Sequence, residues 1–214
     1  PSLKGIIYAI DSENGHLIWK VETKDVIKSA TENVDYSIFS TPLIDNDTLF
    51  IASNSFEIYA IDLFTGKSRD WRFKGDGEII PTPILENDTI YAASYNGTVY
   101  SIDKKNGSPR WKYDIGERTW SSPILHNNTI FIGGRDLKLH AINASNGELK
   151  WEYKTGYYLD STLTYADGRI YFGSYDGKVY ALDTETGKLI WESLPFYSIY
   201  ATPMVYKDII FIGT

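Results

Sequence analysis

The chain has no cysteine, which excludes disulfides, thiolate-ligated zinc and thiol catalysis. Its three histidines, His16, His126 and His140, fall in different turns and strands without metal-ligand spacing. No apolar run approaches the ~20 residues needed to span a bilayer. Positive charge is in the minority. With 21 Lys and Arg against 28 Asp and Glu the net charge is -7, which argues against a nucleic-acid backbone or an anionic membrane as the main partner. There is no Gly-x-Ser-x-Gly elbow and no glycine-rich strand-to-helix loop for a phosphate. No helical periodicity is visible. Nothing at the N-terminus reads as a signal peptide, and the first residue is Pro1 rather than Met. The chain therefore reads as processed, trimmed or part of something longer.

What is abundant is aromatic side chain, 15% of the residues, with 17 Tyr. Such side chains suit pleated sheet surfaces. The aromatics are also periodic. Trp19, Trp71, Trp111, Trp151 and Trp191 are 52, 40, 40 and 40 residues apart, and each closes a similar phrase, as in Tyr180-Ala181-Leu182-Asp183-Thr184-Glu185-Thr186-Gly187-Lys188-Leu189-Ile190-Trp191. A fixed period near 40 means one supersecondary unit used repeatedly.

Residues 158–193 give the unit. An extended stretch at 158–165, the turn Ala166-Asp167-Gly168-Arg169, a strand at 170–174, a turn at 175–177, a strand at 179–183, a turn at 184–187 and a strand at 188–192 make four short antiparallel strands. That is one blade of an all-β propeller. First-strand centres such as Ser40-Thr41-Pro42 and Ser161-Thr162-Leu163 are small, as an inner strand crowded at the axis requires, and the prolines belong at a strand end or bulge. In the last turn Asp11, Asp62, Asp103 and Asp183, with Asn143 in the remaining copy, accept hydrogen bonds from turn amides. Gly15, Gly66, Gly107, Gly147 and Gly187 supply the left-handed backbone. The Trp then packs between neighbouring blades. One extra residue between Gly66 and Trp71 predicts a bulge there.

The count is five repeat-equivalents: a half-blade at 1–23, an insertion at 24–35, blades at 36–74, 75–114, 115–154 and 155–194, and a half-blade at 195–214. The chain opens on a third strand and stops after a second. Trp191 to Trp19 is 42 residues around the join, so the two half-blades either pair and close a five-bladed ring or belong to a larger propeller.

The phrase Ala181-Leu182-Asp183-Thr184-Glu185-Thr186-Gly187 with Trp191, and Ala9-Ile10-Asp11 with Gly15 and Trp19, resembles the tryptophan-docking signature of PQQ-like repeats. That family includes quinoprotein dehydrogenases and BamB-like assembly and scaffold propellers without a cofactor. The resemblance covers the whole chain and implies the fold. Many members have seven or eight blades. A dehydrogenase of the family implies pyrroloquinoline quinone, a Ca²⁺ held by carboxylate and amide oxygens, an Asp base and commonly a vicinal Cys pair. This chain has no Cys, and its inner positions carry one Asp (Asp160) and one Glu (Glu78) in different blades. A hard cation wants ~6–8 oxygens. The expectation is a non-catalytic binding or scaffold module with no metal and no cofactor, a quinone-dependent dehydrogenase or degenerate relative being the alternative. The resemblance implies an exported or cell-surface setting.

Residues that recur in every copy are structural, so recognition belongs where copies differ. Phe39, Ile80, Trp120, Asp160 and Tyr200 differ at one ring, as do Ser37, Glu78, Arg118, Tyr158 and Ser198 two residues earlier. The same face is expected to carry Phe56, Tyr95, Arg135, Tyr157 and Tyr175. An aromatic, arginine-containing mouth suits recognition, of a protein, a peptide or a small ligand, while the same aromatics could instead plug the channel. The insertion at 24–35 is either a binding loop or a tolerated one. Asn-x-Ser/Thr sequons at Asn46, Asn87, Asn96, Asn106, Asn127 and Asn143 read as turn chemistry ahead of glycosylation.

Overall fold

Turn residues set the hairpins. In the computed structural model, which describes residues 2–26 and 36–214, Asp167 and Gly168 have φ of 49° and 75°, the two positive angles of a type I′ turn. Asn46, Asn87 and Asn127 take φ of 52°, 52° and 45° at the equivalent positions, so three of the sequons sit where a left-handed residue is required. The turns alternate with twenty strands among the described residues. A two-stranded sheet holds β1 (Ile6–Ile10) and β2 (Leu17–Glu22). Four four-stranded antiparallel blades follow. They are β3–β6 (Leu43–Asp45, Thr48–Ala52, Glu57–Asp62, Ser68–Lys74), β7–β10 (Ile84–Glu86, Thr89–Ala93, Thr98–Asp103, Pro109–Asp114), β11–β14 (Ile124–His126, Thr129–Gly133, Lys138–Asn143, Leu149–Lys154) and β15–β18 (Thr164–Ala166, Arg169–Gly173, Val179–Asp183, Leu189–Glu192). A second two-stranded sheet, β19 (Met204–Tyr206) and β20 (Ile209–Phe211), ends the chain.

The core lies between blades. Phe50, Ile58 and Phe73 of one blade meet Ile79, Ile90 and Ile102 of the next in one buried cluster, and Phe131 and Leu139 meet Phe172 and Leu182 in another. A single blade cannot bury either of its faces alone, so each copy stabilises its neighbour.

The repeated indole makes that contact directional. Trp19 Nε1 donates to Leu63 O at 3.0 Å, Trp111 to Ala144 O at 2.9 Å and Trp151 to Thr184 O at 3.1 Å. Each acceptor lies at the Asp/Asn-led turn of the following blade. The turn glycine sits against the same ring. A Cβ on Gly187 would lie 2.6 Å from Trp151 Cδ2, and one on Gly147 2.7 Å from Trp111 Cδ2. Within the turn, Asp183 Oδ1 accepts from Thr186 N at 2.8 Å and Thr186 Oγ1 at 2.7 Å. Asn143 Oδ1 does the same for Ser145 N at 2.9 Å. Trp71 is the exception. The extra residue in β6 shifts its register with β5 from Tyr59↔Arg72 to Ile61↔Ser68, and Trp71 Nε1 is buried without a hydrogen-bond partner among the described residues. Its ring still packs edge-on against Phe50, centroids 4.8 Å apart, as Trp111 packs against Tyr91 and Trp151 against Phe131.

At the inner end, hydroxyls join the blades. Thr41 N donates to Thr82 Oγ1 (3.0 Å), Thr82 N to Ser122 Oγ (2.9 Å) and Ser122 N to Thr162 Oγ1 (3.4 Å). This explains why the first strands are shorter than the extended stretch expected at 158–165, where only Thr164–Ala166 pairs. Here the backbone amides are satisfied by a neighbour's hydroxyl rather than by a ladder, and the prolines, which have no N–H, stand immediately before the strands.

Two details complete the pattern. A helical turn, α1 (Thr23–Val26), interrupts the all-strand pattern. It is too short to carry a period, and it forms because Thr23 bonds Gly5 O and Tyr36 O while Val26 enters the core. Residues 27–35 of the expected insertion lie outside the described residues. Among the described residues β1–β2 and β19–β20 form separate sheets, so of the two arrangements expected for the half-blades the ring is left open as an arc.

The indole contact predicts a graded series in urea unfolding. Gly15→Ala, whose Cβ would meet nothing within 4 Å, costs only about 1–2 kcal/mol of left-handed backbone strain. Gly187→Ala adds about 1–3 kcal/mol of forced displacement, and Trp151→Ala costs about 3–5 kcal/mol. Equal losses at Gly15 and Gly187 would remove the role given to the ring. A second expectation concerns acid. The Thr186 hydroxyl, then its amide, hold the Asp183 carboxyl below its ordinary value of 3.8. A depressed carboxylate stabilises the fold above its unfolded pKa, and the gain is lost as pH falls through the folded value. Asp183→Asn, which keeps the acceptor as Asn143 does, therefore shows a smaller loss of unfolding free energy below about pH 4 than the parent chain.

Candidate functional site

One end of the blades is built from two kinds of irregular segment: the linker entering each first strand and the turn between second and third strands. Backbone bonds pair them. Asn54 N donates to Ser37 O, Tyr95 N to Glu78 O, Arg135 N to Arg118 O and Tyr175 N to Tyr158 O, at 2.7–3.0 Å. The residues that vary between copies are thus carried side by side on one rigid face.

Two clusters form there. Arg118 stacks over Tyr95, guanidinium carbon 5.3 Å from the ring centroid, and Tyr95 meets Trp120 edge-on at 5.2 Å. In the second, Arg135 grips Asp160 with two bonds, Nε to Oδ1 at 3.1 Å and Nη2 to Oδ2 at 2.8 Å, and lies 5.4 Å over the Tyr158 ring. Tyr158 touches Tyr157 at 4.4 Å and Tyr175 at 6.4 Å, and Tyr175 touches Tyr200 at 5.8 Å. Trp120 is 41% exposed, Tyr157 48% and Tyr200 60%.

The charges are unequal. The Asp160 side chain is 6% exposed and its carboxylate is fully engaged by Arg135, and that bond holds the Arg135 guanidinium above its ordinary value. Burial, then the Asp160 charge, push the Tyr175 phenol up. Arg118 has no ion pair among the described residues; its one side-chain bond is to Tyr95 Oη at 3.4 Å.

Other expected members stand apart. Phe39 is 39% exposed and makes no ring contact among the described residues, and Glu78 joins the face only through its carbonyl. Phe56 occupies the third position of its turn with φ of 70°, the place of Gly97 and Gly177 rather than of Tyr95. His140 is buried, with Nε2 3.0 Å from Asp136 Oδ2 and Nδ1 3.1 Å from Tyr113 Oη. It fills the place of the repeat Tyr180, which bonds Asp176 in the same way. Two aromatics were missed, Phe196 at 61% and Tyr197 at 83% exposure. The signal was available: Leu194-Pro195-Phe196 replaces Lys154-Thr155-Gly156 of the preceding copy.

The residues do not fit a calcium-bound quinone. Both Asp160 oxygens are held by Arg135, and among the described residues no three His, Asp or Glu side chains gather where they could hold a metal ion. What the face offers is flat aromatic surface, one free guanidinium and fixed backbone.

Residues 3–214 match the family described as outer membrane protein assembly factor BamB. Among solved structures the chain is similar to BamB from Moraxella catarrhalis, with a TM-score of 0.79 and 21% identity over 98% of this chain and 64% of that one. The chain therefore spans about 64% of the length of that protein, and its arc fits as part of a larger propeller. No curated protein matches it.

The two arginines differ in a way that unfolding can read. Arg135→Met leaves the buried Asp160 carboxylate unpaired and costs about 2–3 kcal/mol, less than for a fully buried pair because water reaches Arg135. Arg118→Met changes stability by no more than about 0.5 kcal/mol. Equal effects in a denaturant titration would contradict this division of roles.

Proposed function

The chain belongs to the family of BamB-like propellers, and on that premise we propose that it is a non-catalytic scaffold that binds another protein through its aromatic, arginine-bearing face. The observation that carries the reading is the pair of open aromatic clusters around Arg118 and Arg135. Tyr, Trp and Arg supply most binding energy at protein interfaces because they present large, stiff surface with few rotors. The blades hold these side chains in place before a partner arrives, which lowers the entropy cost of association.

The reading needs no cofactor. The alternative, a quinone-dependent dehydrogenase or a degenerate relative, gains nothing from Asp160, whose oxygens are already bound. The family description points to a setting at the outer membrane, and we take the same extracytoplasmic setting for this chain. Among the described residues no helix is long and apolar enough to cross a membrane.

Photo-crosslinking tests the reading. A photoreactive amino acid placed at Trp120 or Tyr157 in the source cells yields one discrete protein adduct. Placed at Lys105 or Glu185, in turns at the opposite end of the strands, it yields none. Equal adducts from both ends, or none from the aromatic face, would reject the assignment.

A further inference from the structure

The linker into the C-terminal half-blade departs from its siblings. Leu194 stands where other copies carry Lys74, Asp114 and Lys154, and Phe196 where they carry Asp76, Gly116 and Gly156. The backbone explains how these apolar side chains come to face water. In the earlier linkers Gly75 N, Ile115 N and Thr155 N donate to the carbonyls of Phe56, Gly97 and Leu137. Pro195 occupies that position and has no N–H. The next residue takes the bond instead, Phe196 N to Gly177 O at 2.7 Å. Strand β18 accordingly stops at Glu192, and Leu194, Phe196 and Tyr197 are 82%, 61% and 83% exposed. An exposed apolar group that the repeat does not require is an informative departure.

This patch continues into the aromatic face. Ser198 Oγ bonds Tyr175 O at 3.0 Å, and Tyr200 touches Tyr175. From there the rings step towards the arginines at 5.8 Å (Tyr200 to Tyr175) and 6.4 Å (Tyr175 to Tyr158). An extended peptide places same-face side chains ~6.6–6.8 Å apart, close to this spacing. At the far end Arg118 has no ion pair among the described residues, whereas Arg135 is already neutralised by Asp160.

Resting on the protein-binding reading above, we infer that the face takes an extended peptide segment of its partner, with alternating apolar side chains laid from Leu194–Tyr197 across Tyr175 and Tyr158, and with a carboxylate at the Arg118 end. Charge complementarity selects the acid, because a guanidinium stacked on Tyr95 keeps its outward N–H groups free for a carboxylate. Apolar surface supplies the affinity.

The test is a selection from a random dodecapeptide library displayed on phage, using the folded chain as bait. Enriched peptides carry apolar residues at alternate positions and an Asp or Glu towards one end. On Arg118→Glu the acidic position changes to Lys or Arg. On the triple variant Leu194→Ser, Phe196→Ser, Tyr197→Ser, selected peptides bind at least about tenfold more weakly, with an unchanged melting temperature because all three side chains are exposed. Enrichment of sequences without the apolar alternation, or the same sequences on parent and Arg118→Glu, overturns the inference. If nothing enriches while crosslinks from Trp120 and Tyr157 persist, the face binds a folded surface, so the inference falls and the scaffold reading stands. If both fail, both fall.

Discussion

Three of the copies lean on the next through an indole laid on a glycine, Trp19 on Gly66, Trp111 on Gly147 and Trp151 on Gly187. Trp111 and Trp151 donate to a carbonyl of the following turn and lie against Gly147 and Gly187. The glycine is required twice, for its positive φ and because a Cβ would collide with the ring. The carboxylate or amide at the head of the turn fixes the amides that present that glycine. The contact has a direction, from one copy to its successor, so it sets both the spacing and the turn of the array. Where one inserted residue moves Trp71, its Nε1 has no carbonyl partner among the described residues, but the ring still packs on Phe50 of its own blade and on the core shared with the next. Apolar packing is therefore the more tolerant part of the joint and the hydrogen bond the more exacting part.

A scaffold fixed in this way confines variation to its rims. The hydroxyl series Thr41, Thr82, Ser122 and Thr162 holds the inner end, the indoles hold the outer strands, and neither can change freely. The linkers and second turns are joined to one another chiefly by backbone bonds, which accept any side chain. That freedom is why Tyr158, Asp160, Arg118 and Trp120 can stand at positions equivalent to Glu78, Ile80 and Ser198. It also divides the two arginines. Arg135 spends its charge inside the chain on Asp160, tying a second turn to the next linker, while Arg118 stands over Tyr95 without an ion pair among the described residues.

Much of this was legible in the order of residues. The 40-residue period, the Asp-Gly and Asn turns and the Asp-x-x-x-Gly-x-x-x-Trp phrase each rest on local backbone chemistry, so they identify hairpins and blades without reference to distant parts of the chain. Which linker and second-turn positions lie side by side was legible too, because equivalent positions in a repeat fall on one end. The first strands were overestimated because extended backbone bonded to a neighbour's hydroxyl looks, in one dimension, like a strand. Leu194 and Phe196 passed unnoticed, although alignment on Trp151 and Trp191 sets them opposite Lys154 and Gly156.

The sequence by itself determined the unit, the joint and the face, since turn geometry, glycine positions and the tryptophan period act within a few residues or between identical neighbours. Only the tertiary structure decided three other matters. It left the half-blades as separate sheets in an arc, because the angle between blades is a sum of many packed contacts that no local motif encodes. It paired Arg135 with Asp160 and left Arg118 free, because the choice between two nearby cations depends on ångström-scale geometry across a blade boundary. And it turned Leu194, Phe196 and Tyr197 towards water, because a proline without an N–H handed its hydrogen bond to the following residue.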